Sequence, residues 1–396
     1  MEQQEQQAQR STANNVDSAI PDSDASQTNR LWCAVRTASG SDAQDDATMD
    51  YDSTTIKPAY CDDPDYEDTV LIPRGIEISR SLIGMNNEDP FDHFQTKIAP
   101  ESGKVAHYQK LLSPEIDVFV DGGPAFNKRL VGEYRTGPLW GYNKRRWTNL
   151  AITFLLRQDV MNLEREKTGM FTAERRDEEP ITPILDRGWV ALPIQAEDED
   201  TKPCDFSLSP DTVYWLSLQA FTLTWASAAE RCIYLYRDRA LLPYLSVEYE
   251  HDPWDNIAVQ EAVNKMASTA AICQYNRYKL RERIKDKSGI GNTKWSEADD
   301  AAIRHYGMTI CGHKWNVYLA APRVTPKGEW MGTNIRMVGV GDLQYVEGVE
   351  RCVNWINEIH RWGLGLYAQN VKNDIETLVE KREEESRRLR GELSAL

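Results

Sequence analysis

Leu242-Pro-Tyr-Leu-Ser-Val-Glu-Tyr-Glu250 is an apolar run that ends in acids. The turn Asp252-Pro-Trp-Asp255 follows it, and then a long helical pattern. It therefore reads as a buried strand that feeds a helix. Side chains alternate along a strand, which puts Tyr244, Ser246, Glu248 and Glu250 on one face and Leu245, Val247 and Tyr249 on the other. Two carboxylates side by side at the end of an apolar strand repel each other. A chain tolerates that for a cation, for a basic partner, or because the strand end is wet.

Working outward towards the N-terminus, Phe206–Leu218 predicts a strand from about Thr212, with Asp211 directly after Pro210. Phe221–Tyr236 predicts a mostly apolar helix, and Ile184–Ile194 a strand entering the core. Arg145–Leu163 fits a helix with the stripe Trp147, Leu150, Phe154 and Met161. Its start carries Lys144, Arg145 and Arg146, read first as a solvated helix start and second as a phosphate contact. Residues 164–180 read as a charged loop. Glu115–Asp121 predicts a strand edge stopped by Gly122-Gly-Pro124, its acids a solvated face rather than a metal site. Residues 86–112 suggest two helices, around Phe91–Lys97 and Val105–Leu112. Leu71–Ile78 predicts a short extended segment with a turn at Gly75.

Towards the C-terminus, Ile257–Arg283 gives the best helical pattern in the chain. Small residues dominate its first half, and its second half, from Asn276, is basic. Met308–Ala320 predicts a hairpin about Gly312, and Ile335–Val340 a further strand. A helix begins near Val346, with Gly363 and Gly365 as a kink. Residues 371–393 carry a partial heptad pattern ending in Glu–Arg pairs.

Composition bounds the rest. The chain has 396 residues, 41% of them hydrophobic, with net charge −16. That balance argues against non-specific coating of nucleic acid, which relies on Lys and Arg. No apolar run is long enough to cross a membrane. Met1-Glu-Gln-Gln-Glu5 has no basic region or apolar run, so no secretory signal is expected. The seven cysteines form no CxxC pair and read as reduced, mostly buried thiols of an intracellular protein, cytoplasmic or nuclear. Residues 1–55 are polar and acidic apart from Leu31–Val35, and read as a disordered tail. Residues 56–380 read as one domain with its core at about 140–365, and 381–396 as a charged helical tail.

Pro210-Asp-Thr-Val-Tyr214, Leu242–Glu248, the helix with Gln260 running into Tyr275-Asn-Arg-Tyr278, and Trp355-Ile-Asn-Glu-Ile-His-Arg-Trp-Gly363 come in that order. The order resembles the core of PD-(D/E)XK nuclease-like proteins, in particular the uncharacterised filamentous-fungal group of that superfamily, across about residues 60–380. The resemblance implies an α/β (α+β) fold: a restriction-endonuclease-like core of a small mixed sheet flanked by helices, with a long C-terminal helix. It implies that Asp211 and Glu248 hold Mg2+ or Mn2+ through oxygen ligands, that the metal activates a water, and that Gln260 orients it. A Lys two residues after the Glu completes such a motif. Here that position is Glu250, which with the other acids makes a candidate set of Asp211, Glu248, Glu250 and Gln260. An acid for the motif's first helix has only Asp159 and Glu164 as candidates.

Two functions compete. The first is a non-catalytic or weakened protein on this fold that acts by binding a partner, a protein reached through the C-terminal helix. The alternative is an active Mg2+- or Mn2+-dependent nuclease with nucleic acid as substrate, which would place Lys144–Arg146 and Arg277–Arg283 around the acids. An unrelated intracellular α/β protein is the remaining possibility. His251 is expected at the surface or, as a second choice, as a general base. His360 is expected in packing or capping and His313 in a turn. No phosphate loop, dinucleotide fingerprint or nucleophile elbow occurs.

Overall fold

The structure is a computed structural model. It describes residues 60–81, 120, 122–156, 172–181, 189–194, 208–218, 229, 233–237, 239–286 and 295–393. The expectations for the tail, for residues 86–112, for most of Glu115–Asp121 and most of Phe221–Tyr236, and for Asp159 and Glu164 fall outside these residues.

The fold is mixed α/β. Seven strands form one sheet: β1 (Ile76–Ser79), β2 (Ala173–Asp177), β3 (Thr212–Ser217), β4 (Ala240–Glu250), β5 (His305–Cys311), β6 (Lys314–Val324) and β7 (Trp330–Asp342). Their spatial order is β1-β7-β6-β5-β4-β3-β2. β4 lies in the interior of the sheet, and all eleven of its residues are buried. It pairs antiparallel with β3 and parallel with β5. A parallel neighbour needs a crossover, and helix α3 (Asn256–Asp286) supplies it. Asp255 caps α3: its Oδ1 accepts the N–H groups of Ile257 at 2.9 Å and Ala258 at 3.3 Å. The small buried residues Ala262, Ala267, Ser268, Ala270 and Ala271 let α3 lie close on the sheet, and Met266 sits over Gly307 of β5.

β5, β6 and β7 form an antiparallel meander. The β5–β6 turn is Gly312-His313, with Gly312 at φ +54°, a value that favours glycine. Helix α5 (Val346–Trp362) packs on β7. A Cβ on Gly339 would lie 2.6 Å from the Trp355 indole nitrogen, so this strand position must be glycine for the helix to seat. A π-helical turn (Gly363–Tyr367) joins α5 to α6 (Ala368–Leu393) at the two glycines expected to interrupt the helix. Val371, Ile375 and Leu378 are buried within the chain itself, so this part of the heptad pattern is already used by the fold. No helix among the described residues is long and apolar enough to cross a membrane.

Several elements differ from expectation. Gly122-Gly-Pro124 opens a helix, α1 (Pro124–Leu139), with the proline in its first turn, where its missing N–H costs nothing. The basic cluster begins α2 (Lys144–Phe154), capped by Asn143, whose Oδ1 accepts the Arg146 N–H at 3.0 Å. Strand β2 lies inside the segment expected to be a loop. Its Arg175 and Asp177 share a face and pair at 2.8 Å. A short helix, α4 (Glu297–Ala302), carries a capping box between Ser296 and Asp299. Within Ile184–Ile194, the described residues 190–194 are not strand. Leu71 closes a π-helical turn and Ile72–Arg74 form a 3-10 turn, so only Ile76–Ser79 is extended.

The alternation expected along β4 breaks at Pro243. Tyr214 pairs with Leu245, but Trp215 pairs with Pro243, leaving Tyr244 in a bulge. Proline has no N–H for the ladder and is tolerated at such bulges. The bulge takes Tyr244 off the face of Glu248. Its ring lies against Gly363 and its hydroxyl is 2.8 Å from Nδ1 of His360. The Pro243 carbonyl accepts from the Tyr367 hydroxyl at 3.1 Å and meets His305 Nδ1 at 3.3 Å.

Candidate functional site

The site lies at the end of the sheet where β4 finishes and β3 begins. The last backbone pair between the two strands is Thr212 with Val247. Beyond it two carboxylates continue the ladder. Asp211 Oδ2 accepts the Tyr249 N–H at 2.8 Å, and Glu248 Oε2 accepts the Asp211 N–H at 3.3 Å. The two acids paired by the resemblance are therefore neighbours, and each is tied to the other's strand.

Glu250 lies one step beyond. Its Oε1 is 3.0 Å from Nζ of Lys144, and the same ammonium is 3.1 Å from Asp211 Oδ2. Lys144 thus bridges the two acids at the mouth of the site, where its own side chain is about one-third exposed. Burial works against its charge, but Asp211, Glu250 and Glu248 outweigh that and raise its pKa. Lys265 on α3 acts on Glu248 from the other side and holds Glu261 Oε1 at 2.8 Å. Glu248 is fully buried and, among the described residues, its Oε1 has no hydrogen-bond partner. Burial, then the Asp211 charge, push its carboxyl well above the usual carboxylate range, against the pull of Lys265 and Lys144. Both effects favour the protonated form of Glu248.

Gln260 lies on α3 as expected, but its amide is engaged elsewhere: Oε1 accepts from Arg80 at 3.1 Å and Nε2 donates to Asn264 Oδ1 at 2.8 Å. Asn264 in turn donates to the Cys61 carbonyl at 3.0 Å. His251 is half exposed, with Nδ1 3.7 Å from Glu250 Oε2. His313 sits in the β5–β6 turn, as expected, against Asp342 Oδ1 at 2.9 Å. His360 is a buried packing histidine. Cys273, Cys311 and Cys352 are buried free thiols and Cys61 is half-buried. Burial pushes the Cys61 and Cys311 thiols up to about 12, which leaves them unreactive.

The basic clusters divide. Lys144 belongs to the site. Arg277 and Arg281 do not: both pair with Asp374 of α6, and Arg281 also with Asp299. Arg277 is twelve residues along α3 from Lys265, or about 18 Å at the helical rise.

The fit to a divalent metal follows from these contacts. Among the described residues, Glu248 Oε1 is a buried oxygen with no partner, as a ligand would be. Against that, the ammonium of Lys144 already joins Asp211 to Glu250. Among the described residues no group of three His, Cys, Asp or Glu side chains is placed to hold a metal ion. As arranged, the residues do not fit one. The nuclease alternative expected Lys144–Arg146 around the acids, and Lys144 does reach them, but spacing alone did not pair it with Glu250. It lies 106 positions from Glu250, and its one outward sign was an unexplained acid where the motif wants a cation.

No family model matches the chain, no curated protein matches it, and no solved structure matches it.

Proposed function

We propose that this is a non-catalytic protein on a PD-(D/E)XK nuclease-like fold, and that it works by binding rather than by cleaving phosphodiesters. The observation that carries this is the Lys144 bridge between Asp211 and Glu250. It satisfies the acids internally and sets a lysine where a divalent cation would have to enter. The fate of the other basic cluster supports the same reading, because a nucleic-acid cleft gains nothing from guanidinium groups sequestered in a buried ion-pair network. Within the partner surface expected on the C-terminal helix, the apolar face of the earlier turns (Val371, Ile375, Leu378) is already buried and Lys381 donates to the Ile284 carbonyl at 2.8 Å, so a partner would have to use the rest of the helix.

The second reading, an active Mg2+- or Mn2+-dependent nuclease, is favoured by one observation. Lys144 supplies from α2 the cation that Glu250 removes from the strand, and Glu248 retains an unpartnered oxygen. Incubation with single- and double-stranded DNA and RNA, in millimolar Mg2+ or Mn2+, separates the two. The non-catalytic reading expects no cleavage above that of Glu248→Ala. Metal-dependent cleavage lost in Glu248→Ala would replace it with the nuclease reading.

A further inference from the structure

We propose that Lys144 is a tethered counter-cation: its ammonium occupies the space between Asp211 and Glu250 and so keeps divalent metals out of an otherwise acidic cluster. This rests on the non-catalytic reading above and names the residue responsible for it.

The geometry carries the proposal in three parts. First, Nζ lies 3.1 and 3.0 Å from carboxylate oxygens that come from the start of β3 and the end of β4. A Mg2+ ion joining the same oxygens needs them at about 2.0–2.1 Å in octahedral geometry. The ammonium and the metal are alternative occupants of one space.

Second, the lysine is held where it acts. Lys144 is the first residue of α2, behind the Asn143 cap. One turn on, buried Trp147 stacks on Tyr134 at 5.5 Å and lies over Gly137 of α1. A cation fixed in this way competes at a high effective concentration with any ion free in solution. The groups that face it electrostatically are Asp211, Lys265, Glu250 and Glu248, with the Cys311 thiol beside them.

Third, the cluster still has unused capacity. Glu248 Oε1 is fully buried and, among the described residues, without a partner, so one oxygen of the carboxylate that meets the Asp211 N–H remains uncommitted once the lysine has taken its two acids. Glu250 also gains a reason to be an acid: it supplies half of the lysine's seat.

The test is Mn2+ binding followed by the electron paramagnetic resonance signal of the free ion. It uses the full chain, Lys144→Met, Lys144→Gln, Asp211→Ala and Lys144→Met/Asp211→Asn, with each variant's fold checked by circular dichroism. The proposal expects no saturable site in the wild type at millimolar Mn2+. Either single Lys144 variant should acquire one saturable site, with an apparent Kd at least about tenfold below the Mn2+ concentration that leaves the wild type unsaturated, and the double variant should lose it. Folded single Lys144 variants that gain no site would overturn the tether and leave the non-catalytic reading standing. A wild-type site that Asp211→Ala abolishes would overturn both. The Lys144 ammonium resonance, assigned with Lys144→Arg, reads the wild type independently of whether the variants fold. It should persist as a slowly exchanging signal in millimolar Mg2+, and its loss on adding Mg2+ would overturn the tether.

Discussion

Replacing Asp374 with alanine is expected to destabilise the protein by about 3–5 kcal/mol, the usual cost of breaking a buried ion pair from one side. Arg277 is fully buried, and its Nη2 lies 2.6 Å from Asp374 Oδ2, itself 2% exposed. Arg281 contacts the other oxygen of the same carboxylate. Without Asp374, Arg277 keeps its charge inside the protein and loses the anion that faces it. Arg281 retains Asp299, so the loss concentrates on Arg277. Among the described residues the Nε and Nη1 groups of Arg277 have no hydrogen-bond partners, which means that the pair is not an optimised stabiliser. An apolar pair of similar volume should then restore most of the loss, as buried pairs replaced together often do. Urea unfolding of Asp374→Ala and of Arg277→Met/Asp374→Leu checks this. The single variant should show a lower midpoint at unchanged slope and the double variant a largely recovered one. A single variant within about 1 kcal/mol of wild type would mean that water reaches Arg277. Because this pair joins α3 to α6, the same experiment measures how firmly the base of the C-terminal helix is anchored.

The second large effect is a loss of stability in acid that originates around the β4 bulge. His305 and His360 are both fully buried, and burial depresses the pKa of each from 6.5 to about 3. For His305 the hydrogen bond to the Pro243 carbonyl opposes that depression. A carbonyl only accepts, so His305 donates from Nδ1–H, and its Nε2 is left to accept from the Ser246 hydroxyl 3.2 Å away. That is a neutral tautomer in use. Below pH 6.5 the unfolded chain takes up a proton at each histidine while the folded chain does not. The unfolded state then binds more protons, and stability falls as pH falls. Each histidine contributes about 1.4 kcal/mol per pH unit across this window, until the folded state itself titrates near 3. His360→Gln should therefore flatten the dependence of the unfolding free energy on pH by about one proton between pH ~6 and ~4, whatever its offset at neutral pH. The carboxylates titrate alike in both proteins and cancel in the difference. An unchanged slope would show that His360 is protonated in the folded state.

What could be read from the residues alone divides along physical lines. β4 and α3 were legible because burial leaves local signs: a mostly apolar run in one, and small residues recurring at helical spacing after the Asp252–Asp255 turn in the other. The hairpin at Gly312 was legible because one residue type suits its backbone angle. α1 was missed because Gly122-Gly-Pro124 punctuates a stop as well as a start, and Gly132, Gly137 and Pro138 blur the helix behind it. β2 was missed because Ala-Glu-Arg-Arg-Asp has no apolar period, and its strand is fixed by pairing with β3. The bulge at Tyr244 had a visible cause, since Pro243 cannot serve a central ladder, but alternation was carried straight through it. The site shows the same limit more sharply. Glu250 was recognisable as a missing cation, whereas the cation that answers it sits on a helix more than a hundred residues earlier, and only the folded chain brings the two together.

The central claim is that a lysine of this chain, not a metal, joins the acids at the end of β4. A crystal of the wild-type protein soaked in millimolar Mn2+, with anomalous scattering recorded, measures that directly. The account predicts Lys144 Nζ in hydrogen-bond reach of both Asp211 and Glu250, and no anomalous peak among Asp211, Glu248 and Glu250. A peak bound by Asp211 and Glu248, with the Lys144 side chain turned away, would contradict it.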